Sequence, residues 1–314
     1  ATLSFYEYLQ IKKVAVPELP TVASLQKLRA WSEGEFARVG ADARPLTGHF
    51  HDYLLRGGFP QCALVEGVVA AQKLLREDIV DKVLKRDMTA LYGVRRVLEL
   101  EQTFLYLCLH DGGLLDMVDL GKNLQVKKPT ATNYISLLEA AHLIHRLPPF
   151  GYGKEILRGR YKVYLADAAI APSVLLKGKS LLEDATAMGA AVETAFFKHV
   201  FTRYYQQSVG FSYWRGKREQ EVDIIAAMEG RLVPFEVKHR HQATGWPELK
   251  GMVEFCTERK VALGYVITKE PNDFGVMERK LTTGQSLQLV KIPAPLACYW
   301  LGKSEIEAQP AETH

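Results

Sequence analysis

Apolar residues in the first third of the chain recur every three or four positions, which is the spacing of an amphipathic helix. The pattern is clearest over residues 71–91, where acid–lysine pairs four positions apart support the same helix on its solvated side. A second helix is predicted over residues 94–110, and Gly57-Gly58 followed by Pro60 predicts a helix end and a turn. Residues 1–100 are therefore interpreted as a helical N-terminal segment.

The next segment, residues 101–180, has the order of elements found in a winged helix-turn-helix. The predicted elements are a first helix over residues 114–124, a turn over 126–128, a second helix over 129–144, and two strands at 156–157 and 161–165 that flank a wing. Pro129 falls in the first turn of the second helix, where its missing N–H costs nothing. In such a module the second helix enters the major groove of DNA and wing residues contact phosphates.

Positive charge is concentrated in this segment. The chain has 40 Lys and Arg against 36 Asp and Glu, a net charge of +4, and residues 112–165 alone hold an excess of the same size. Localised positive charge favours a polyanionic partner, so DNA is the expected partner. Packing or oligomerisation is the alternative use of a winged helix. The predicted nucleic-acid contacts are Lys127, Lys128, Asn133, Lys154, Arg158, Arg160 and Lys162, with Arg215 and Lys217 further along the chain.

The second half of the chain contains two predicted strands joined by a short turn. Residues 221–228 and 231–238 are separated only by Glu229-Gly230. A two-residue hairpin loop would pair the strands so that Asp223 faces Glu236, with Cβ atoms about 5 Å apart. The opposite face of both strands is almost entirely apolar and is predicted to face the core.

Two carboxylates that face each other repel unless positive charge lies between them. A divalent cation together with Lys238 would supply that charge, and hard oxygen ligands of this kind suit Mg²⁺ or Mn²⁺. The alternative is a solvated hairpin in which Glu221, Lys238 and a nearby arginine balance the charges. On the residues alone both interpretations stay open.

The elements around this hairpin predict an α/β fold of the α+β multidomain type. They are a helix over residues 189–203, a strand and a basic turn over 211–218, a helix over 246–259 and a buried strand over 261–267. Glu193 lies in the first turn of the earlier helix and can project toward the hairpin. We expect a small mixed sheet with a helix on each side.

Six stretches occur in an order that resembles a known family. They are Leu3–Leu9, Gly57–Pro60, Lys85–Asp87, Tyr134–Ile144 with Pro149-Phe150, Tyr213–Arg215 and Glu221–Asp223. This series is similar to the C-terminal half of a large prokaryotic AAA-type ATPase family, a domain of unknown function. In that family a winged helix precedes a PD-(D/E)XK restriction-endonuclease-like fold. The likeness covers roughly residues 3 to 269.

The resemblance implies a role for each residue of the hairpin site. Asp223 and Glu236 would hold the cation, and Glu193 would add a ligand or position water. Lys238 would orient the nucleophilic water and stabilise charge on the phosphoryl group. The implied domains are a helical lead-in like an ATPase lid or linker (1–100), a winged helix (101–180) and a nuclease-like domain (181–314).

The chain lacks the nucleotide-binding motif of an ATPase. No G-x-x-x-x-G-K-[ST] occurs, and at Gly178-Lys179-Ser180 the position of the first glycine is taken by Ser173. We therefore expect no ATP binding by this chain. The family's ATPase core is expected before Leu3, so the start of the chain is interpreted as a cut inside a longer polypeptide. That ATPase core, or a second copy of the chain, is a further possible partner.

The apolar runs and the cysteine spacing indicate where in the cell the protein is expected. There is no run of about 18 apolar residues, so no membrane span is expected. The four cysteines are far apart and form no C-x-x-C pair, which favours reduced thiols and a cytoplasmic protein. The sequence as a whole predicts a DNA-binding module with a possible Mg²⁺-dependent nuclease-like site. The alternative is a non-catalytic module for protein interaction, oligomerisation or regulation.

Overall fold

The N-terminal part of the chain is helical, as predicted. The computed structural model describes residues 2–151, 160–204, 207–216, 220–228 and 230–308. The first helices are α1 (Phe5–Ile11), a 3₁₀ helix (Leu25–Ala30), α2 (Glu33–Asp42), α3 (Leu46–Arg56), α4 (Pro60–Leu64), α5 (Val68–Leu74) and α6 (Met88–Tyr92). Two π-helical stretches, Leu75–Val80 and Lys82–Asp87, connect α5 to α6.

The glycine pair predicted to end a helix does so. Helix α3 ends at Arg56, and Gly57 follows with φ +80°, a conformation that favours glycine. A Cβ atom on Gly58 would lie 2.3 Å from the carbonyl oxygen of Leu3. The pair therefore ends the helix and lets the backbone at Leu3 approach Gly58 closely.

The middle of the chain forms a winged helix-turn-helix. Its elements are α7 (Val97–Leu109), α8 (Met117–Leu124), α9 (Lys128–Ala140), β1 (Ile144–Leu147) and β2 (Lys162–Leu165). Strands β1 and β2 pair antiparallel, and Leu114 forms an additional bridge to Lys162. Pro129 lies in the first turn of α9, as predicted.

The sequence placed the end of the second helix of this unit wrongly. Helix α9 ends at Ala140 rather than at Ile144, because His142 adopts a left-handed backbone with φ +56° that turns the chain. Ile144 consequently begins β1, the strand that pairs with β2. The strand predicted at 156–157 lies outside the described residues.

The remainder of the chain forms a mixed sheet between helices. Its elements are α10 (Ile170–Val174), α11 (Ala185–Tyr204), β3 (Gly210–Arg215), β4 (Glu221–Met228), β5 (Arg231–Lys238), α12 (Lys250–Arg259), β6 (Leu263–Thr268), β7 (Gly275–Lys280), β8 (Ser286–Pro293) and α13 (Ala294–Ala308). Short 3₁₀ helices cover Gly178–Leu182, Trp246–Glu248 and Pro271–Asp273. The strand order is β3-β4-β5-β6-β8-β7, and β5, β6 and β8 run parallel.

Helices cover both faces of the sheet. On one face Phe196 of α11 contacts Phe235 of β5, with ring centroids 5.5 Å apart. On the other face Phe255 of α12 lies 5.7 Å from Trp214 of β3. The α/β class predicted from the sequence is confirmed, and β7, β8 and α13 are additional elements that the sequence analysis missed.

The N-terminal helices share a hydrophobic core with the sheet. Helices α1 and α3 pack with α11, α13 and the inner sheet face in one cluster. Trp300 of α13 is fully buried there and donates a hydrogen bond from Nε1 to the carbonyl of Pro20 (3.0 Å). The winged helix has a separate core that also includes α5 and α10. The three-part domain division remains a prediction.

Candidate functional site

The β4–β5 hairpin has the register predicted from its turn. Met228 pairs with Arg231, and the ladder continues in that register to Ile224 and Phe235. Asp223 and Glu236 follow directly after this last pair. The Asp223 N–H lies 3.4 Å from Oε2 of Glu236, and Oδ2 of Asp223 accepts a hydrogen bond from the Val237 N–H (2.8 Å). The two carboxylates therefore lie together, as predicted.

Four carboxylates gather beside this hairpin and are here called the carboxylate cluster: Glu193, Glu221, Asp223 and Glu236. Glu193 reaches the cluster from α11, and the other three lie on β4 and β5. The negative charge of the cluster is balanced by Lys162, which was predicted to lie on the wing and contact nucleic acid. The Lys162 ammonium Nζ lies 2.8 Å from Oε1 of Glu193, 2.8 Å from Oδ1 of Asp223 and 3.1 Å from Oε1 of Glu221.

Lys162 was predicted to contact nucleic acid from an exposed wing, and that placement is wrong. Its side chain is only 3% exposed. Strand β2 carries Lys162 and Tyr164 on one side, toward the sheet, because alternate residues of a strand share a face. Burying an ammonium is costly unless carboxylates surround it, so the cluster and Lys162 stabilise each other.

The carboxylate of Glu193 is held in position from two directions. The Tyr164 hydroxyl donates a hydrogen bond to its Oε1 (2.7 Å), and the buried Tyr164 ring stacks on Phe197 of α11 with centroids 4.3 Å apart. Asp111 binds the residues that directly follow Tyr164 and Glu193 in the chain. It accepts hydrogen bonds from the Leu165 N–H (2.9 Å) and the Thr194 hydroxyl (2.8 Å). These contacts join the winged helix to α11 at the cluster.

The second positive group of the site is Lys238. Its Nζ lies 2.5 Å from Oε1 of Glu236, and its side chain is partly exposed. Of the four residues predicted to be catalytic, Lys238 contacts Glu236, and Glu193 and Asp223 both contact Lys162. The structure thus brings all four predicted residues into one cluster.

Burial and neighbouring charges shift the pKa values of this cluster in different directions. For Glu236, burial and the charge of Asp223 raise the pKa to about 8. Burial and the same charge raise the pKa of Glu193. For Asp223 burial acts in the same sense, but the ammonium groups of Lys162 and Lys238 outweigh it and lower the pKa. The two lysines therefore favour the charged form of Asp223.

As arranged, these residues do not fit a divalent cation. The Lys162 ammonium stands where the oxygens of three carboxylates converge, at distances of hydrogen bonds rather than of metal–oxygen bonds of about 2.0–2.1 Å. Within the described ranges, no group of three or more His, Cys, Asp or Glu side chains is placed to hold a metal ion. The arrangement neutralises the charge of a partly buried carboxylate cluster.

Other predicted nucleic-acid contacts lie on the surface of the winged helix. Lys127, Lys128 and Asn133 are exposed at the start and on the outer face of α9. The opposite face of this helix is buried through Ala131, Tyr134, Ile135 and Leu138.

The rest of the predicted contacts are more scattered. Arg160 is 60% exposed and forms an ion pair with Asp116 (2.7 Å). Arg215 is exposed at the end of β3. Lys154, Arg158 and Lys217 lie outside the described residues.

Sequence reasoning missed the contributions of Lys162, Tyr164 and Asp111 to the cluster. For Lys162 and Tyr164 a signal was available. They alternate with the apolar residues Val163 and Leu165, which places Lys162 and Tyr164 on one face of a strand. No local signal indicated which face of β2 meets the sheet. That contact joins residues 61 positions apart in the chain.

Two family models together match most of the chain. Residues 47–181 match the model of a domain of unknown function (DUF8612), and residues 188–288 match a second domain of unknown function (DUF4143). The first match runs from α3 through the winged helix, and the second includes most of α11 and the hairpin. No curated protein matches the chain. None of the helices in the described part is long and apolar enough to cross a membrane.

Proposed function

We propose that this chain is the DNA-binding module of an AAA-type ATPase and that its winged helix contacts the duplex. The observation that carries the proposal is the outer face of α9. Lys127, Lys128 and Asn133 are exposed there, while the inner face is fixed in the core of the winged helix. A helix held in this way can enter a major groove without rearrangement.

The charges on this face are available to a polyanion. No ion pair joins Lys127 or Lys128 to a carboxylate of the described residues, and Lys122 of α8 is also exposed. Arg160 adds a third predicted phosphate contact, at the cost of its ion pair with Asp116. Phosphate contacts by such side chains supply affinity for duplex DNA that does not depend on sequence.

The ATPase context rests on similarity. The ordered stretches from Leu3 to Lys269 resemble the C-terminal half of a prokaryotic AAA-type ATPase family. DUF4143, which matches residues 188–288, is commonly the C-terminal part of AAA-ATPase-associated proteins. Both similarities support a module that positions DNA for a motor domain, and ATP would bind the motor rather than this chain.

DNA binding is tested by reversing the charge of the α9 entry. In K127E/K128E, affinity for a fluorescent duplex is expected to fall at least about tenfold, and the salt slope is expected to decrease by about 2 because two phosphate contacts are lost. The matched control is K250E/K280E, which makes the same change of net charge at two exposed lysines on α12 and β7.

The control is expected to bind DNA as the wild type does. Equal losses in both double variants would reduce the effect to net charge, and absence of any binding by the wild type would refute the proposal. In the second case the alternative, a module for protein interaction, would be favoured.

Phosphodiester cleavage is the second candidate, because Asp223, Glu236 and Lys238 are in contact. Incubation of the wild type with duplex and single-stranded DNA in Mg²⁺ or Mn²⁺ is expected to give no cleavage, since Lys162 neutralises the cluster. Cleavage that D223A, E236A and K238A each remove would establish the nuclease instead.

A further inference from the structure

The carboxylate cluster already contains a cation, and it comes from the chain itself. We propose that Lys162 permanently occupies the cation position of the cluster, so that the wild-type site is closed to Mg²⁺ and Mn²⁺ and becomes a divalent-cation site only when this ammonium is removed. The proposal does not depend on DNA binding by the winged helix.

The first argument is geometric. Three carboxylate oxygens, from Glu193, Asp223 and Glu221, lie within 3.1 Å of one nitrogen atom. An ammonium group has three N–H donors, and here each can be directed at a different carboxylate. The contact with Asp223 is a hydrogen bond between charged groups, which is the strong kind, and the contacts with Glu193 and Glu221 are ion pairs. A metal ion at the same point would require Lys162 to leave.

The second argument concerns the origin of the lysine. The carboxylates belong to α11 and to the sheet, whereas Lys162 belongs to β2 of the winged helix. Strand β2 is fixed on both sides. It pairs with β1, and the Val163 carbonyl accepts a hydrogen bond from the Gly112 N–H (2.8 Å). The backbone of Lys162 is therefore held in place, and the ammonium could leave the cluster only by rotation of its buried side chain.

The third argument concerns the charge left behind. Among the described groups, Lys162 and Lys238 are the lysines in contact with the cluster, and Lys238 is engaged with Glu236. Arg215 of β3 is the cross-strand partner of Glu221 and leaves Glu193 and Asp223 dependent on Lys162. Without Lys162, the carboxylates of Glu193, Glu221 and Asp223 would face each other in a partly buried site. Carboxylates in such a position need a replacement cation, and hard divalent ions are the class that oxygen ligands prefer.

The test is a thermal-unfolding and Mn²⁺-binding comparison of the wild type, K162M and K162M/D223N. Methionine keeps most of the length of lysine and removes its charge. In EDTA, K162M is expected to unfold at a lower temperature than the wild type. Addition of about 1 mM MnCl₂ or MgCl₂ is expected to raise its Tm by about 5 °C or more while the wild type does not respond.

The double variant and direct binding make the test specific. K162M/D223N lacks one ligand and is expected to lose the metal-induced rise in Tm. Calorimetric titration with MnCl₂ is expected to give saturable binding for K162M and none for the wild type. If the role of Lys162 were purely structural, K162M would have a lower Tm than the wild type, and added metal would not raise it.

Two results would overturn the proposal. One is saturable Mn²⁺ binding by the wild type that D223N abolishes, since metal and Lys162 would then occupy the site together. The other is a K162M protein that folds but neither binds Mn²⁺ nor gains stability from it. If K162M does not fold, the wild-type and D223N titrations still decide whether the native site is closed.

Discussion

At the scale of single residues, one buried ammonium joins the N-terminal helices to the sheet unit. The Lys198 Nζ of α11 donates hydrogen bonds to Oδ2 of Asp167 (3.0 Å), the Tyr53 hydroxyl (2.9 Å) and the Leu3 carbonyl (2.8 Å). Asp167 also accepts a hydrogen bond from the Gly58 N–H (2.9 Å). Every group in this network is paired, and removal of one member would leave another buried without a partner.

We expect K198M to lower the free energy of unfolding by about 3–5 kcal/mol, because the buried carboxylate of Asp167 loses its counter-ion. K198M/D167N is expected to recover part of the loss, since no unpaired charge remains. Urea unfolding measures both, with K280M on an exposed strand position as the control. A loss in K198M no larger than in K280M would contradict the account.

A buried histidine gives the fold a dependence on pH. Nε2 of His199 accepts a hydrogen bond from the Phe5 N–H (2.8 Å), and Nδ1 lies 2.6 Å from the Ala195 carbonyl, so the neutral ring carries its proton on Nδ1. Burial and the charge of Lys198 lower the pKa of His199 to about 3. Between its ordinary pKa of 6.5 and this value, the unfolded chain binds a proton that the folded chain does not.

The contribution of His199 to the free energy of unfolding should therefore fall as the pH drops from about 6.5 toward 4. H199Q removes the titrating group, so the stability of the wild type relative to H199Q is expected to decrease over this range. Urea unfolding at pH 7, 5.5 and 4.5 measures the difference. Burial raises the pKa of Asp111 to about 7, which gives a slope of opposite sign, but that contribution is common to both proteins and cancels. A difference that is constant with pH would contradict the assignment.

At the scale of secondary-structure elements, the hairpin was predictable because its turn is local. Two residues separate β4 from β5, and Gly230 adopts φ +77°, a left-handed conformation that costs a residue with a Cβ free energy. Once the turn is fixed, the alternation of the strands places Asp223 beside Glu236. The register could thus be derived from about a dozen adjacent residues.

G230A is expected to lower the free energy of unfolding by about 1 kcal/mol, because an added Cβ meets no neighbouring atom and only the backbone conformation is disfavoured. Gly275 is the matched control: a Cβ there also meets nothing within 4 Å, and its backbone is not left-handed. Chemical denaturation of both alanine variants gives the comparison. Equal effects at the two positions would show that strain at the turn is not the cause.

Other elements depend on contacts that no local pattern contains. Strand β8 lies between β6 and β7, so its neighbours in the sheet do not follow simply from chain order. Its apolar residues Leu287, Leu289, Val290 and Ile292, all buried, carried a strand signal that the sequence analysis did not use. For Lys162 the local evidence pointed the other way, because a lysine beside a predicted wing has the composition of a DNA contact. Its actual partners are set by packing between two units.

At the scale of the whole molecule, positive charge has two separate roles. Lys127 and Lys128 are exposed on the winged helix and face solvent, whereas Lys162 of the same unit turns inward and neutralises the carboxylates of the sheet unit. The proposed module therefore combines an open surface for polyanions with a carboxylate cluster whose charge is balanced internally. Binding to DNA and absence of metal-dependent cleavage are expected together.

The most direct test of this account is the affinity of the wild-type chain for duplex DNA as a function of salt. Three phosphate contacts, by Lys127, Lys128 and Arg160, predict a slope of log affinity against log salt of about −2.7. Affinity should then fall about fortyfold between 50 and 200 mM salt. An affinity that does not change over this range, or no measurable affinity at 50 mM, would contradict the account.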